Sequence, residues 1–425
     1  MTAPDQGSTQ PATYFRKGFG LKGEVEGTLA ADYDGSLVDL LREHDHTLAV
    51  GGVTVRLARE FGFCYGVERA VEYAYQTRRK FPDRRILLVG EIIHNPHVNR
   101  RLGEMGIDIL APAQDADGKP VFDYTGVGAS DVVILPAFGV TVRDFETLRG
   151  LGCVVVDTTC GSVLNVWKRV ESYARDGLTA LIHGKHYHEE TRATASQVER
   201  YPGGAYLVVR DLGEAQRVCE YIEGRGARDE FLAHFARAAS PGFDPDAHLR
   251  RIGVANQTTM LARESLAIGE EVGRAMARRY GEEYRATNFR TFDTICSATQ
   301  DRQDAVQDLL REPLDVMIVI GGFNSSNTIS LAALCAEHVP TYHIEDATSI
   351  EPESHRISYR PAGVKHSEAV ATDWMPAGDS VRVGLTAGAS TPNNKIGETV
   401  MRIFASRGID VRVAAVAAGD AGDGR

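Results

Sequence analysis

The stretches FGFCYGV (residues 61–67), DTTCGSV (157–163) and DTICSAT (293–299) decide the fold of this chain. In each of them a cysteine follows an extended run and precedes a run with helical periodicity. At nearly the same distance after each cysteine a polar loop begins, at His94, His188 and Ser325. A third polar or glycine-rich loop then follows in each unit: PAFGVT (136–141), NQTTM (256–260) and TAGAST (386–391). This recurrence indicates one unit used three times, which brings the thiols of Cys64, Cys160 and Cys296 to a shared centre.

Short β-branched runs such as RILLVG (85–90) and DVVILP (131–136) alternate with helical runs of ten or more residues. The alternation predicts an α/β protein of three pseudo-symmetric α/β domains with mainly parallel sheets. The expected divisions are an N-terminal extension (1–52), domain 1 with Cys64 (53–155), domain 2 with Cys160 (156–290), domain 3 with Cys296 (291–413) and a disordered tail (414–425). Residues 218–250 are expected to be a surface excursion from domain 2. Because ligands of parallel sheets sit beyond the carboxyl ends of the strands, we expect the loops to converge on one internal site.

Composition excludes several classes of protein. The chain has 425 residues, 43% hydrophobic and 25% charged, as is ordinary for a soluble globular protein. A net charge of −11 argues against a nucleic-acid partner. No apolar run approaches the ~20 residues that a membrane helix needs. The first residues resemble neither a signal nor a transit peptide, so we expect a cytoplasmic protein with six reduced cysteines.

The three recurring thiols point to metal chemistry. A cysteine at a helix N-terminus is expected to have a lowered pKa, which favours the thiolate that binds metal. Three thiolates fit a zinc site or an iron–sulfur cluster, but the paired CxxC motifs of structural zinc sites are absent. A cluster with three cysteine ligands leaves one iron open, as catalytic centres do. The alternative is that all three are core thiols, and we expect that role for Cys153, Cys219 and Cys335.

The second and third loops supply polar groups. The following side chains are donors at helix starts that suit a phosphate or diphosphate: His94, His188, Ser325, Ser326, Asn327 and Ser390. Glu190 is a candidate proton donor with a raised pKa. Thr258 and Thr259 offer hydroxyls to a substrate, although they could instead cap the helix that follows Leu261.

The chain resembles the 4-hydroxy-3-methylbut-2-enyl diphosphate reductase family, in its long plant and cyanobacterial branch. The matching motifs run in the family's order from about residue 53 to 413: GFCYGVERA, EIIHNPHVN, DTTC, HEETRATASQ, NQTT, DTICSATQDRQ, NSSN and TAGAST. The resemblance implies three domains around one central [4Fe-4S] cluster, with Cys64, Cys160 and Cys296 as ligands and one open iron. It implies a two-electron reductive dehydroxylation of an allylic diphosphate to isopentenyl and dimethylallyl diphosphate. Ferredoxin or flavodoxin would supply the electrons.

The resemblance also assigns roles to single residues. Glu190 matches the family's proton-delivering glutamate, Thr258 the threonine beside the substrate hydroxyl, and the loop donors above match the diphosphate ligands. Two positions depart from the pattern. Phe138 stands where many members have a third histidine, so we expect two histidines and the Ser/Asn donors to hold the diphosphate. Gly161 follows Cys160 where proline is usual, which could loosen that loop.

Two other functions compete with this interpretation. A quinolinate-synthase-like dehydratase also takes one cluster thiol from each of three domains, but it does not account for His188–Glu190 with NSSN and TAGAST. A non-enzymatic iron–sulfur redox sensor would need no cavity lined by a carboxyl and phosphate donors. A radical enzyme would need a compact CxxxCxxC motif, which the sequence lacks.

Overall fold

The structure is a computed structural model that describes residues 13–114, 120–292, 294–364 and 367–411. It contains three large sheets whose strands are almost all parallel, covered by helices. The predicted α/β class is therefore confirmed. The predicted tail, 414–425, lies outside the described residues. Across the part of the chain that the structure describes, no helix combines the length and apolarity needed to cross a membrane.

The first sheet is entirely parallel, and helices connect most of its consecutive strands. Its strands, in spatial order, are Tyr14–Phe15, Val154–Asp157, Val132–Leu135, Ile86–Val89 and Ile107–Leu110. The helices around it are Lys22–Tyr33, Tyr65–Lys80, Pro96–Glu104 and Val142–Gly150. A two-stranded ribbon, Ala113–Gln114 with Pro120–Val121, lies beyond its last strand.

The second sheet is also entirely parallel. Its strands are Tyr206–Val209, Thr179–His183, Ile252–Asn256 and Phe289–Thr291. Its helices are Gly161–Arg175, Glu189–Ala195, the 3₁₀ turn Ser196–Arg200, Leu212–Ile222, Arg228–His234, Pro245–His248, Ala262–Tyr280 and Glu282–Asn288. Residues 218–250 are not a surface excursion, because Phe231, Phe235 and Phe243 are buried in the core of this sheet.

The third sheet has one antiparallel edge strand. Its strands are Thr341–Ile344, Val316–Ile320, Val381–Ala387, Val53–Leu57 and the edge strand Thr47–Val50. Its helices are Ser36–Glu43, Ser297–Leu309, Ser326–Ala336, the 3₁₀ turn Ala347–Ser349 and Asn393–Ala405. A small antiparallel sheet, made of Ile350–Glu351, Arg356–Tyr359 and Ala369–Thr372, is attached to it.

The three sheets share one strand order. In each, the first strand after the cysteine helix lies between the second and the third, and a closing strand pairs with the third. The closing strand leads directly to the next cysteine. Val53–Leu57, which the sequence placed at the start of domain 1, is the closing strand of the third sheet, where it pairs with Val381–Ala387. The sequence could not reveal this pairing, because the partners lie at opposite ends of the chain.

Each cysteine therefore lies where the chain passes from one sheet to the next. Two of the expected divisions, after residues 155 and 290, fall within closing strands, Val154–Asp157 and Phe289–Thr291. The helices that follow Cys64, Cys160 and Cys296 bury their apolar sides against the first, second and third sheets respectively. The chain thus closes a ring of three units around the cysteines.

The described part of the N-terminal extension packs on two of these units. Tyr14–Phe15 adds a parallel strand to the first sheet, and Thr47–Val50 pairs with the third. Val38 and Leu41 of the second helix are fully buried in the core of the third unit. The extension therefore links the first unit to the third.

Candidate active site

One internal cavity of ≈ 90 Å³ lies where the three units meet. Every residue predicted for the site borders it: Cys64, His94, Cys160, His188, Glu190, Thr258, Thr259, Cys296, Ser325, Ser326, Asn327 and Ser390. Strand ends from all three sheets supply them, as expected for parallel sheets. The arrangement brings thiols, a carboxyl and neutral donors within reach of one small ligand.

The three thiols occupy equivalent positions. Cys64, Cys160 and Cys296 are each the N-cap residue of a helix, with extended backbone and no side-chain capping bond. None is in a disulfide. Gly66 opens the space between two of them, since a Cβ there would lie 2.6 Å from Cys160 Sγ and 3.8 Å from Cys64 Sγ. Three soft ligands around a space kept clear by a glycine fit a thiolate-held iron–sulfur cluster.

The expected lowering of thiol pKa by the helix N-termini was wrong for two of the cysteines. Burial raises the pKa of Cys64, and burial raises that of Cys296 to about 11. Hydrogen bonds at the helix start oppose this effect but do not overcome it. A metal centre that takes these two residues as thiolates must therefore release their protons.

Two arginines fasten the cysteine loops to one another. Arg302, which is 3% exposed, donates to the carbonyl of Gly62 at 2.7 Å and so ties the helix after Cys296 to the loop before Cys64. Arg69, on the helix after Cys64, donates to the carbonyl of Thr159 in the loop before Cys160. Neither arginine could be predicted from the sequence as part of the site, because a lone arginine on a helix is usually solvated.

We expect Arg302→Met to make cluster binding less durable. The change leaves buried carbonyl groups without a hydrogen-bond partner. Losing a bond from a charged donor lowers the free energy of unfolding by about 1.5–3 kcal/mol. Thermal unfolding of the metal-free protein and the decay of cluster absorbance would measure it. Arg311→Met, at a residue whose side chain is 76% exposed, is the matched control. Equal cluster lifetimes in the two variants would contradict the role of Arg302 in fastening the cysteine loops to one another.

Glu190 is a buried acid that keeps its proton to a higher pH than an exposed glutamate does. Its side chain is 2% exposed, and its Oε1 accepts a hydrogen bond from the main-chain N–H of Thr258 at 2.6 Å. Burial raises the pKa of this carboxyl to about 7, against the lowering effect of the bonds from Thr258. The carboxyl can therefore give up a proton near neutral pH.

The alternative role of Thr258 and Thr259 as helix caps is wrong. The helix Ala262–Tyr280 has Leu261 as N-cap without a side-chain bond, and the side chain of Gln303 accepts from the N–H of Ala262 instead. Thr259 Oγ1 accepts from Gln257 Nε2 at 3.0 Å. Both threonine side chains border the cavity.

The two histidines form a directed hydrogen-bond chain. His188 Nδ1 accepts from the main-chain N–H of Glu190, and burial holds the pKa of His188 well below its usual value. His188 is therefore neutral with its proton on Nε2, which donates to His94 Nε2 at 3.2 Å. The remaining nitrogen of His94, Nδ1, then donates to Glu91 Oε2 at 2.9 Å. Glu91 fixes the tautomer of His94, a role that the sequence analysis missed.

Phe138 lies against both histidines. Its ring stacks on that of His94 with centroids 4.3 Å apart and meets that of His188 edge-on. A phenyl ring offers no hydrogen-bond donor, so this position gives the cavity shape and no charge. Phe138 therefore presents an apolar ring to both histidines at the cavity.

The remaining donors come from the third unit. Ser390 Oγ donates to the main-chain carbonyl of His94 at 3.1 Å, which joins the first and third units at the cavity. Asn327 Oδ1 accepts from the N–H of Ala389 at 2.9 Å. Asn327 Nδ2 is buried without a hydrogen-bond partner among the described residues. A buried amide of this kind is suited to an anionic ligand.

A larger cleft of ≈ 690 Å³ reaches the same histidines from outside. His94, Phe138 and His188 border both the cavity and the cleft. The charged residues along the cleft are Glu91, Lys185, Glu189 and Arg360. The three shared side chains therefore lie between the cleft and the inner cavity.

Comparison with known proteins assigns the chain to a family. A family model described as LytB protein matches residues 55–404. The 4-hydroxy-3-methylbut-2-enyl diphosphate reductase of Gloeobacter violaceus is 49% identical over 404 residues, covering 94% of this chain and 94% of that protein. The enzyme of the same name from Thermosynechococcus vestitus is 47% identical over 397 residues, covering 93% and 95%.

A solved structure adds an independent likeness of fold. The structure of the E-1-hydroxy-2-methyl-but-2-enyl-4-diphosphate reductase from Plasmodium falciparum matches this fold with a TM-score of 0.58 at 19% identity. The match covers 82% of this chain and 87% of the Plasmodium chain. The resemblance read from the motifs is confirmed by the family model and by relatives that span almost the whole chain. The chain belongs to the LytB family.

Proposed function

We propose that this protein reduces 4-hydroxy-3-methylbut-2-enyl diphosphate to isopentenyl and dimethylallyl diphosphate, the final step of non-mevalonate isoprenoid biosynthesis. One observation carries the proposal: three thiols, a buried carboxyl and a set of phosphate donors border a single cavity. The names of relatives that cover 94% and 93% of the chain support the same reaction. We place the enzyme in the cytoplasm.

The thiolates of Cys64, Cys160 and Cys296 would hold one [4Fe-4S] cluster and leave one iron without a protein ligand. The cluster, when bound, supplies electrons to the substrate. Ferredoxin or flavodoxin is the proposed source of those electrons. Gly66 leaves room between the thiols of Cys64 and Cys160 for this purpose. Cys296 Sγ, which donates to Thr299 Oγ1 at 3.1 Å, would lose that proton on binding.

The diphosphate would lie among the donors of the cavity. Ser325, Ser326, Asn327 and Ser390 offer neutral hydroxyl and amide groups, and the unpaired Asn327 Nδ2 gains a partner. A phosphate oxygen against His94 Nε2 requires a proton on that atom, which now accepts a bond from His188. The carboxylate of Glu91 would stabilise the imidazolium that forms, as second partners of histidine commonly do.

The reaction consumes two electrons and two protons. The bond between carbon and the hydroxyl oxygen breaks, one proton completes the departing water, and the other is added to the allylic carbon framework. Glu190 is the proposed proton donor, because it is buried, has a pKa raised to about 7 and is bonded to the main chain of Thr258. The hydroxyl of Thr258 would position the substrate hydroxyl beside Glu190.

Anaerobic turnover tests the proposal. The protein is purified without oxygen, the cluster is verified by its visible absorbance, and oxidation of reduced viologen is followed when the hydroxylated diphosphate is added. We expect oxidation that depends on substrate and that yields both products. A cluster-loaded protein that stayed inert would refute the assignment and favour the sensor or the dehydratase.

A further inference from the structure

Lys185 places a cation between the cavity and the cleft. It lies in the loop between the strand Thr179–His183 and the helix Glu189–Ala195. Its Nζ donates to Ser326 Oγ at 3.1 Å, and Ser326 borders the inner cavity. Lys185 itself borders the outer cleft together with His94 and His188. The ammonium group therefore contacts one of the proposed diphosphate ligands directly.

The main chain of Lys185 is held in place on both sides. Its N–H donates to Gln257 Oε1 at 3.3 Å, and its carbonyl accepts from the N–H of His188 at 2.9 Å. Gln257 is 1% exposed and donates in turn to Thr259. The loop is thereby fixed relative to two residues of the cavity, so that a shift of the flexible side chain alone can move the ammonium group onto a ligand.

The charges around the cavity call for such a cation. A diphosphate carries several negative charges, whereas Ser325, Ser326 and Asn327 are neutral and His188 is kept neutral by burial. The charge of the proposed His94 imidazolium is already paired with that of Glu91. Phe138 contributes no charge. The carboxylates of Glu91 and Glu189 also face the cleft, and the guanidinium of Arg360 is stacked 4.1 Å from the centre of the Phe323 ring. An anion in a largely buried site needs a compensating charge.

We propose that Lys185 is a further diphosphate-binding residue, which exchanges its bond to Ser326 for one to a phosphate oxygen. It supplies the positive charge that this chain lacks at Phe138. The proposal rests on the proposed function, because it takes the diphosphate as the occupant of the cavity. It differs from the earlier expectation that two histidines and the Ser/Asn donors suffice.

The test compares Lys185→Met with Lys185→Arg and with Lys168→Met, a change at an exposed lysine of the helix Gly161–Arg175. In cluster-loaded protein, Lys185→Met should raise KM by about tenfold to a hundredfold, because the diphosphate loses a charge-assisted hydrogen bond. The value of kcat should change little. Lys185→Arg should retain most of the affinity, since it keeps the charge. Lys168→Met should match the wild type.

A second measurement does not depend on turnover. Calorimetric titration with inorganic diphosphate should show a loss of affinity of similar size in Lys185→Met and none in Lys168→Met. Unchanged KM and unchanged diphosphate affinity in a Lys185→Met protein that keeps its cluster would overturn the proposal and leave the proposed function standing. Wild-type protein without substrate-dependent turnover would instead refute the proposed function, and the titration would still judge Lys185.

Discussion

Alanine in place of Cys64, Cys160 or Cys296 should abolish both the visible absorbance of the cluster and substrate-dependent turnover. The three thiols border one cavity from three different units, so each unit contributes one soft ligand and the loss of any thiol removes that contribution. The measurements are iron content and absorbance after anaerobic reconstitution, followed by the viologen assay.

The other three cysteines are matched controls. Cys153, Cys219 and Cys335 are buried in apolar clusters away from the cavity. Alanine at any of them should cost about 1 kcal/mol of stability or somewhat more, as small core truncations do, and should leave the cluster in place. If cluster content fell equally in both groups, the assignment of ligands would have to be abandoned.

Glu190→Gln should keep the cluster and lower kcat by about a hundredfold to ten-thousandfold, the usual contribution of a positioned proton donor. Glutamine can still accept the hydrogen bond from the N–H of Thr258, so the loop and KM should change little. Glu220→Gln, on an exposed residue of the helix Leu212–Ile222, is the control. Wild-type turnover in Glu190→Gln would remove this residue from the mechanism.

The raised pKa of Glu190 also sets a pH dependence. The carboxyl is protonated below about pH 7 and loses its proton above it, so wild-type kcat should fall as the pH rises through that value. The unfolded carboxyl titrates near 4.5, and the folded protein therefore binds the proton more tightly. Between pH 4.5 and about pH 7, the free energy of unfolding of the wild type should fall relative to that of Glu190→Gln as the pH rises. A constant difference in unfolding free energy from pH 4 to pH 8 would contradict the assignment.

Much of the site could be predicted from the sequence, because its residues recur at equivalent places. Cysteines at three strand-to-helix transitions, and polar loops after the following strands, are local patterns that a parallel fold brings together. The burial of Glu190 was predicted for the same reason. Local patterns thus sufficed for the predicted residues that border the cavity, although not for Glu91 and Lys185, which also follow strands.

Long-range partners could not be predicted in this way. The pairing of Val53–Leu57 with Val381–Ala387 has no local signature. Arg302 lies within a recognised motif and Lys185 lies just before another, but a basic residue in a sequence does not reveal whether it reaches solvent or a polar group on another unit. The thiol pKa depends on the balance between helix dipole and burial, and only the packed structure supplies the second quantity.

The closing strand of the third sheet has a consequence for the order of folding. The first two sheets draw their main strands from continuous segments, so most of each can assemble while synthesis proceeds. The third needs Val53–Leu57, made early, and Val381–Ala387, made almost last. Until Val381–Ala387 has left the ribosome, Val53–Leu57 lacks its parallel neighbour. Because this contact has a very high sequence separation, we expect ring closure to be a slow and late event, and we expect the proposed cluster to be inserted after it.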